Sequence, residues 1–480
     1  MDLLKNYIFS LSLQLMNILT PLITLPLVVK ALGNDGMGKI AIANSILSYF
    51  LIFGSTGLTS YGNKIIAKNN ELGSLRKSFN GVLNLQFLYS TISILVFIIY
   101  IFFFNLNIKS ILFVSLVQLV ASYFDFTWFF YGINEIKTIA IRNIIVKLTG
   151  IVLIYFFVKT REDIYNYFWI LGGTNLLANL SVFFVLVKKI DLKTIQINFK
   201  VTREELVSSS IILLPLFIMA IYSNIDRFII LNFLNNFESV GIYDVAMKFI
   251  SMFAVLIVSL RPLMISKIST NYNDISKVEQ LVYKSISLVF YISIPVCILL
   301  FVNIESFIDL FLGKKFMDSA SLIKILTIQI LLTGIGDVFV NQILISIGQE
   351  RKVLWVMVAL CLLLVVLYVI FIPIFGILGA AITSVAAHFL ILLLEYYYVD
   401  KYVNVRIDII EVLKSVIAGG ICFLVAYCLY RLFHVDSYVK LILISLLIIL
   451  TYILVCFLLK LKLQRRILEL LQVDIEKIKI

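Results

Sequence analysis

The sequence predicts an all-α protein that crosses a membrane about fourteen times. Hydrophobic residues make up 61% of the 480-residue chain and charged residues only 14%, and the mean hydropathy is +1.05. The apolar residues form fourteen runs of about twenty residues, which is the length a helix needs to cross the hydrocarbon layer. Only helices and closed barrels satisfy their backbone hydrogen bonds in lipid, and runs this long are helices.

Short polar segments separate the predicted spans. The spans are residues 7–29, 38–61, 81–104, 110–131, 139–158, 164–187, 209–234, 241–266, 285–302, 325–347, 353–374, 376–398, 415–433 and 441–459. The first run is longer than a signal-peptide core, and no small-residue cleavage site follows it. We therefore expect it to be retained as a membrane span.

The basic residues predict the orientation. With the N-terminus inside, the cytoplasmic loops carry about three times as many Lys and Arg residues as the external loops. An even number of spans returns the C-terminus to the cytoplasm. The net charge of +12 then reflects topology and attraction to the anionic lipid bilayer. Because this charge is spread over loops, we expect no nucleic-acid partner. The predicted location is a bacterial cytoplasmic (inner) membrane.

The longest hydrophilic segment suggests a division of the chain. Residues 188–208 are predicted to form a cytoplasmic linker between an N-terminal six-helix lobe, 1–187, and a C-terminal six-helix lobe, 209–400. Residues 401–480 would then add two further helices and a cytoplasmic tail.

An internal repeat supports this division. Gly38 opens the second span and Gly241 opens the eighth, and the same offset relates Lys64 to Lys267. Because six spans precede the second lobe, both lobes enter the membrane in the same direction. This arrangement is a parallel repeat about a pseudo-twofold axis, for which the transport site is expected between the lobes.

Prolines within spans mark candidate hinges. Proline removes one hydrogen bond from a helix and bends it. Pro21 and Pro26, both in the first span, are the best candidates for a bend that lets the lobes rock. Packing alone is an equally good explanation of these prolines.

Four charges lie at similar depth in the outer half of the seventh and eighth spans. Asp226 and Arg227 precede the intervening turn, and Asp244 and Lys248 follow it, four residues apart on one helical face. One interpretation is an ion-paired lock between two helices. The other is that the pairs exchange partners as a cavity opens and closes, so that the two basic residues bind substrate and the two acids act in coupling or gating.

The inner half carries basic residues without a carboxylate nearby in the sequence, namely Arg142, Lys147 and Arg261. Long basic side chains near helix ends often extend to the lipid headgroups. A cavity lined by them would instead attract an anionic ligand, so we predict all three as substrate-binding residues. Asp125 and Asp337 are isolated carboxylates within spans. Each is a candidate proton carrier for coupling or gating, and a structural hydrogen-bonding role is as good an explanation.

Enzymatic chemistry has no basis in the sequence. There is no GxxxxGK[ST] phosphate loop, no GxSxG and no HExxH. The five cysteines all fall within predicted spans and lack metal-ligand spacing. His388 and His434 have no companion residue. We therefore expect no cofactor and no metal site, and a transporter rather than an enzyme.

Several segments in order resemble the Wzx-type polysaccharide lipid flippases, which export O-antigen and capsule repeat units. They are LTPLITLPLVVKALGNDGMGKIAIANSI from Leu19, YFDFTWFFYGINEIKTIAIRNIIVKL from Tyr123, NIDR at 224–227, VGIYDVAMKFI from Val240, IDLFLGKKF from Ile308 and FGILGAAITS from Phe375. The resemblance covers about residues 1–400. The matching residues are Asp125, Trp128, Gly132, Arg142, Asn143, Asp226, Arg227, Gly241, Tyr243 and Lys248.

The resemblance implies two six-helix lobes around a central cavity, in the multidrug/oligosaccharidyl-lipid/polysaccharide exporter superfamily. It implies movement of an undecaprenyl-diphosphate-linked oligosaccharide from the inner to the outer leaflet by alternating access, coupled to a proton or sodium gradient. Polysaccharide polymerase and chain-length machinery would be partners. His388 stands where other members often carry an acidic residue nearby, which puts a coupling role for the twelfth span in doubt. The alternative function is a multidrug or metabolite exporter of a related branch.

Overall fold

The computed structural model describes residues 2–68, 72–103, 107–189, 201–258, 261–271, 274–405, 408–432, 438–462 and 464. Its regular elements in these ranges are all helical. They are α1 (Asp2–Leu51), α2 (Gly57–Lys68), α3 (Leu72–Phe103), α4 (Lys109–Ala121), α5 (Thr127–Gly132), α6 (Ile136–Phe157), α7 (Ile164–Val187), α8 (Arg203–Leu234), α9 (Phe237–Val258), α10 (Arg261–Thr270), α11 (Ile275–Phe311), α12 (Met317–Asp337), α13 (Glu350–Asp400), α14 (Ile409–Leu432) and α15 (Tyr438–Leu458). The all-α prediction is confirmed.

Twelve helical segments in the described part of the chain are long and apolar enough to cross a membrane. Two helices, α1 with 50 residues and α13 with 51 residues, are about 75 Å long at 1.5 Å per residue. One bilayer crossing needs less than half of that. Each helix is interrupted at a glycine with positive φ, Gly33 (φ 68°) and Gly376 (φ 60°). If one crossing lies before and one after each glycine, the twelve segments correspond to the fourteen predicted spans.

The chain forms two compact units, Met1–Gly241 and Ile242–Ile480. The structure groups α8, the seventh predicted span, with the first unit. Of the predicted linker, residues 190–200 lie outside the described residues. The lobe boundaries drawn from the sequence remain predictions.

The first unit has an aromatic core. The fully buried rings of Phe79, Trp128 and Phe130 pack with Val82 and Leu186, and the Phe79 and Trp128 ring centroids are 5.2 Å apart. Aromatic side chains bury more apolar area than any others. This core therefore fixes α3, α5 and α7 against one another around the interrupted fourth span.

The second unit is built on α11, α12 and α13. Its last two helices, α14 and α15, pack against α11 through small clusters that include Ala418, Cys422 and Tyr452. At one end, Lys462 donates a 3.0 Å hydrogen bond to Asp408, and this bond holds the pKa of the Asp408 carboxyl below its usual value. The contact anchors the ends of α14 and α15 to each other.

The outward surface of the helices is apolar. Large side chains such as Phe103, Leu177, Ile211 and Ile374 are about two-thirds or more exposed. An exposed apolar surface of this extent indicates contact with lipid, as the composition predicts.

Candidate functional site

An interruption in the fourth predicted span places Asp125 inside the first unit. A 3₁₀ turn ends at Phe124, and α5 begins at Thr127. The Asp125 carboxylate accepts hydrogen bonds from Ser55 Oγ (2.6 Å), from the Thr127 backbone N–H (3.1 Å) and from Thr127 Oγ1. Asp125 is therefore held by three hydrogen-bond donors, which fits the structural hydrogen-bonding explanation, and its coupling or gating role remains a prediction.

Gln86 on α3 closes this network. Its Nε2 donates to the carbonyl oxygens of Ser122 (2.6 Å) and Asp125 (3.1 Å), and its Oε1 accepts from Trp128 Nε1 at 2.8 Å. An interrupted helix leaves carbonyl groups without partners, which is costly in lipid. Gln86 satisfies them. Sequence reasoning missed it, although a glutamine inside an apolar run was a signal.

Arg142 lies on α6 of the first unit and is half-buried. Its Nε and Nη2 donate to Asn143 Oδ1 at 3.0 and 2.8 Å, and its Nη1 donates to Asn179 Oδ1 at 3.1 Å. Asn179 is held by a 2.8 Å bond to the Ala121 carbonyl. A guanidinium has five N–H donors. Three of these N–H groups donate to neutral amide oxygens, and the other two remain available for a ligand.

Two further predicted cations belong to the first unit. Lys147 is half-buried on α6, one turn beyond Asn143. Arg227 Nη1 donates to Asp226 Oδ1 at 2.8 Å and to the Ser223 carbonyl at 2.6 Å. Asp226 is buried, and the positive charge of Arg227, the next residue of α8, compensates its negative charge.

The remaining outer-half charges belong to the second unit. Asp244 and Lys248 on α9 form a 2.7 Å ion pair one helical turn apart. In both units the ion pair therefore forms within a single helix. Exchange of partners between the two helices remains a prediction.

Arg261 and Asp337 are brought together in the second unit. Arg261 on α10 forms an ion pair with Asp337 Oδ1 at the end of α12. Asn341 Nδ2 (2.8 Å) and Gln342 Nε2 (3.3 Å) also donate to this carboxylate. Arg261 and Asp337, which have no oppositely charged neighbour in the sequence, are therefore partners in the fold, and their substrate-binding and coupling roles remain predictions. Sequence could not show the pairing because 76 residues separate the two positions.

Glu395 on α13 is a buried carboxylate that the sequence analysis overlooked. It is 8% exposed, and its Oε2 would lie 2.9 Å from a Cβ placed on Gly336. It interacts electrostatically with Asp337. Its position seven residues after His388 in a predicted span was a signal for its burial.

The two glycines related by the repeat contact each other within the first unit. A Cβ on Gly38 would lie 1.8 Å from the Phe237 carbonyl oxygen, and a Cβ on Gly241 would lie 2.1 Å from the Asn34 carbonyl oxygen. Asn34 Nδ2 also donates to Glu238 Oε1 at 2.9 Å. Here backbone packs on backbone, and only glycine permits such an approach.

The predicted hinges lie elsewhere than the break in α1. Pro21 and Pro26 are inside the helix, and the residue with non-helical dihedral angles is Gly33. The hinge role of the two prolines remains a prediction.

An apolar cavity of about 460 Å³ lies in the second unit. It is bounded by α11, α12 and α14, and its lining includes Ile294, Ile298, Ile328, Gly420 and Phe423. A Cβ on Gly420 would have no heavy atom within 4 Å. The cavity therefore has the size and polarity for a hydrocarbon chain.

Two relatives and two solved structures resemble this chain, and three of these four match most of its length. A protein of Escherichia coli (strain K12) named "Putative O-antigen transporter" is 22% identical over 410 residues, which are 83% of this chain and 97% of that protein. A Shigella dysenteriae protein of the same name is 25% identical over 163 residues, 33% of this chain and 41% of that protein.

The solved structures share the fold. The lipid II flippase MurJ in an inward closed conformation matches with a TM-score of 0.74 at 16% identity, over 94% of this chain and 98% of that one. An inward-facing multidrug resistance MATE family transporter of the MOP superfamily matches with a TM-score of 0.67 at 15% identity, over 82% and 97%. A family model described as "Polysaccharide biosynthesis protein" matches residues 3–262. Because that match covers more than half of the sequence, the chain belongs to this family of polysaccharide biosynthesis proteins.

Proposed function

We propose that this protein is a flippase that moves an undecaprenyl-diphosphate-linked oligosaccharide repeat unit from the inner to the outer leaflet of a bacterial cytoplasmic membrane. It works by alternating access, is coupled to a proton or sodium gradient, and has both termini in the cytoplasm. Polysaccharide polymerase and chain-length proteins would receive its product. The observation that carries the proposal is the match to 97% of a protein named as an O-antigen transporter, in a chain whose described residues include twelve long apolar helices.

The placement of Arg142 supports an anionic, phosphate-bearing substrate. Charged groups in membrane spans are costly and mark functional sites. Because Arg142 is held in place by amide oxygens and has two N–H donors left, it can donate to a diphosphate. Arg–phosphate hydrogen bonds are among the strong charge-assisted ones. Lys147, on the same helix, would add positive charge. Arg227 and Lys248 are ion-paired with Asp226 and Asp244 and remain predicted substrate-binding residues, and Arg261 is better assigned to Asp337.

The direct test is deletion of the gene in its host, followed by measurement of surface polysaccharide and lipid-linked repeat units. We expect the surface polysaccharide to fall and the lipid-linked units to accumulate, and a plasmid-borne copy should reverse both. Unchanged levels of both would contradict the proposal. Unchanged levels together with new sensitivity to cationic drugs would favour the multidrug-exporter alternative.

Loss of a single cation on α6 should impair transport more than stability. For Arg142→Ala and Lys147→Ala we expect export to fall about 10- to 100-fold, because one charge-assisted hydrogen bond contributes about 1.5–3 kcal/mol. Arg227→Ala should lower export and membrane abundance together, because the buried Asp226 loses its ion-pair partner. The measurement is complementation of the deletion strain, with membrane abundance measured by immunoblot. Lys137→Ala, at an exposed position on the same helix as Arg142, is the matched control. Full activity of all three variants would remove the cation site.

The apolar cavity is the proposed place for part of the polyprenyl tail. Gly420→Leu should fill it without a backbone clash, since the glycine faces open space. We expect reduced export at normal abundance for this variant. Gly420→Ala is the control and should stay active, because one methyl group occupies little of the cavity. Normal export by Gly420→Leu would show that no transported group uses the cavity.

A further inference from the structure

The second unit contains more buried acid than base around the end of α12. Asp337 and Glu395 are both at least nine-tenths buried, and Arg261 pairs with Asp337. Glu395 interacts electrostatically with Asp337, so if both were ionised, the Glu395 carboxylate would be a buried negative charge that the Arg261–Asp337 pair does not balance. An unpaired buried charge is strongly disfavoured, and such a group takes up a proton instead.

The hydrogen bonds distinguish the two carboxyls. Asp337 accepts from Asn341 and Gln342 in addition to its ion pair, so its carboxylate has three partners. Among the described residues, Glu395 has neither a hydrogen bond nor an ion pair. Burial without donors favours the neutral acid.

We propose that Glu395 is a proton-binding residue and that Asp337 and Arg261 form the fixed ion pair beside it. This inference deepens the ion coupling in the proposed function, on whose transport role it rests. It names Glu395 as the group that takes up and releases the coupling ion and names a proton as that ion. Arg261 disfavours a sodium ion at the same place because its positive charge would repel the metal cation.

Release of the proton has a defined consequence for the cluster. A second negative charge would then lie beside Asp337, whose own charge Arg261 already compensates. Repulsion between the two carboxylates would favour separation of α12 and α13 at this point. Protonation of Glu395 would remove that repulsion.

The local backbone provides a second observation. Directly after Asp337, residues Val338–Leu344 form a π-helical segment. This widening lets both Asn341 and Gln342 reach the same carboxylate. Single π-helical turns in α-helices are frequent at functional sites. The titratable and charged groups that face Glu395 are Asp337 from α12 and, through it, Arg261 from α10. His388, on α13 itself, bonds instead to Gln329 and Ser384.

Labelling with dicyclohexylcarbodiimide tests the inference directly. This membrane-soluble reagent reacts with protonated carboxyls, and the full-length protein in lipid nanodiscs can be labelled and analysed by peptide mass spectrometry without any transported substrate. We expect Glu395 to be labelled, with a yield that falls as the pH is raised and the carboxyl loses its proton. Glu411 is the matched internal control, because it is equally buried but ion-paired with Lys414.

Each outcome decides the inference. Labelling at Asp337, labelling of Glu411 equal to that of Glu395, or a yield at Glu395 independent of pH would overturn it. Protection of Glu395 by sodium chloride but not by choline chloride would also overturn it, in favour of a sodium site. In proteoliposomes, Glu395→Gln should lose the stimulation of transport by a pH gradient. Because the labelling does not depend on transport, a failed flippase assay with pH-dependent labelling would count against the proposed function alone.

Discussion

Replacing Gly38 with alanine is expected to abolish export and to lower the thermal stability of the purified protein. The new methyl group would lie 1.8 Å from the Phe237 carbonyl oxygen, far closer than the van der Waals contact distance of the two atoms. The obstacle is backbone, so a change of rotamer cannot relieve it. Overpacking of this kind usually costs about 1–3 kcal/mol and occasionally more, and a backbone clash belongs at the upper end.

Gly241→Ala should behave in the same way, because its methyl group would lie 2.1 Å from the Asn34 carbonyl oxygen. Gly173→Ala on α7 is the matched control, since a Cβ there meets nothing within 4 Å. It should be neutral or stabilising by up to about 1 kcal/mol, because alanine is the better helix former. Thermal unfolding in detergent and complementation of the deletion strain are the measurements. Equal unfolding temperatures for Gly38→Ala and Gly173→Ala would show that the close contact is not essential.

The second large effect is expected from breaking the ion pair in the second unit. Arg261→Ala leaves the Asp337 carboxylate, 4% exposed, without its charge partner. Removing one member of a buried ion pair costs about 3–5 kcal/mol. The Arg261 side chain is 39% exposed, and Asn341 and Gln342 still donate to the carboxylate. We therefore expect a smaller loss of stability, about 2–3 kcal/mol, for this half-exposed pair.

A double-mutant cycle separates the pair from its surroundings. Asp337→Asn removes the negative charge, so Arg261→Ala combined with Asp337→Asn should recover most of the stability lost in Arg261→Ala alone. The coupling energy between contacting charges is measurable in this way. Additive effects of the two substitutions on the unfolding temperature would mean that Arg261 and Asp337 do not interact in the membrane.

Much of the fold follows from the sequence because lipid imposes one dominant requirement. Apolar runs of a fixed length predict helices, and the predicted boundary between residues 374 and 376 coincides with the break at Gly376. The first predicted span ends at residue 29 and the second begins at residue 38, so Gly33 lies between them. The π-helical segments Ile52–Thr56 and Val338–Leu344 could not be predicted. They depend on packing between distant helices and leave the apolar pattern unchanged.

The sequence predicts which polar residues lie within the membrane spans, but it does not predict which residues they contact. Arg142, Asp125 and Asp337 are recognisable as charges within apolar runs, and the local pair of Asp244 and Lys248 follows from helical spacing. The bond between Ser55 and Asp125 joins residues 70 positions apart. No local pattern encodes such a contact, since it depends on which helix faces which. Glu395 escaped notice because it directly precedes three tyrosines, a composition typical of the membrane interface.

The single-glycine interruption at Gly376 also bears on how the chain is made. It leaves almost no polar connection between two successive crossings. An insertion channel could not release the first crossing into lipid before the second, because no loop exists to span the delay. The two crossings must therefore leave the channel together as a hairpin. An arginine inserted beside Gly376 should arrest both partners during biogenesis, while the same insertion beside Lys352, in a longer polar connection, should be tolerated.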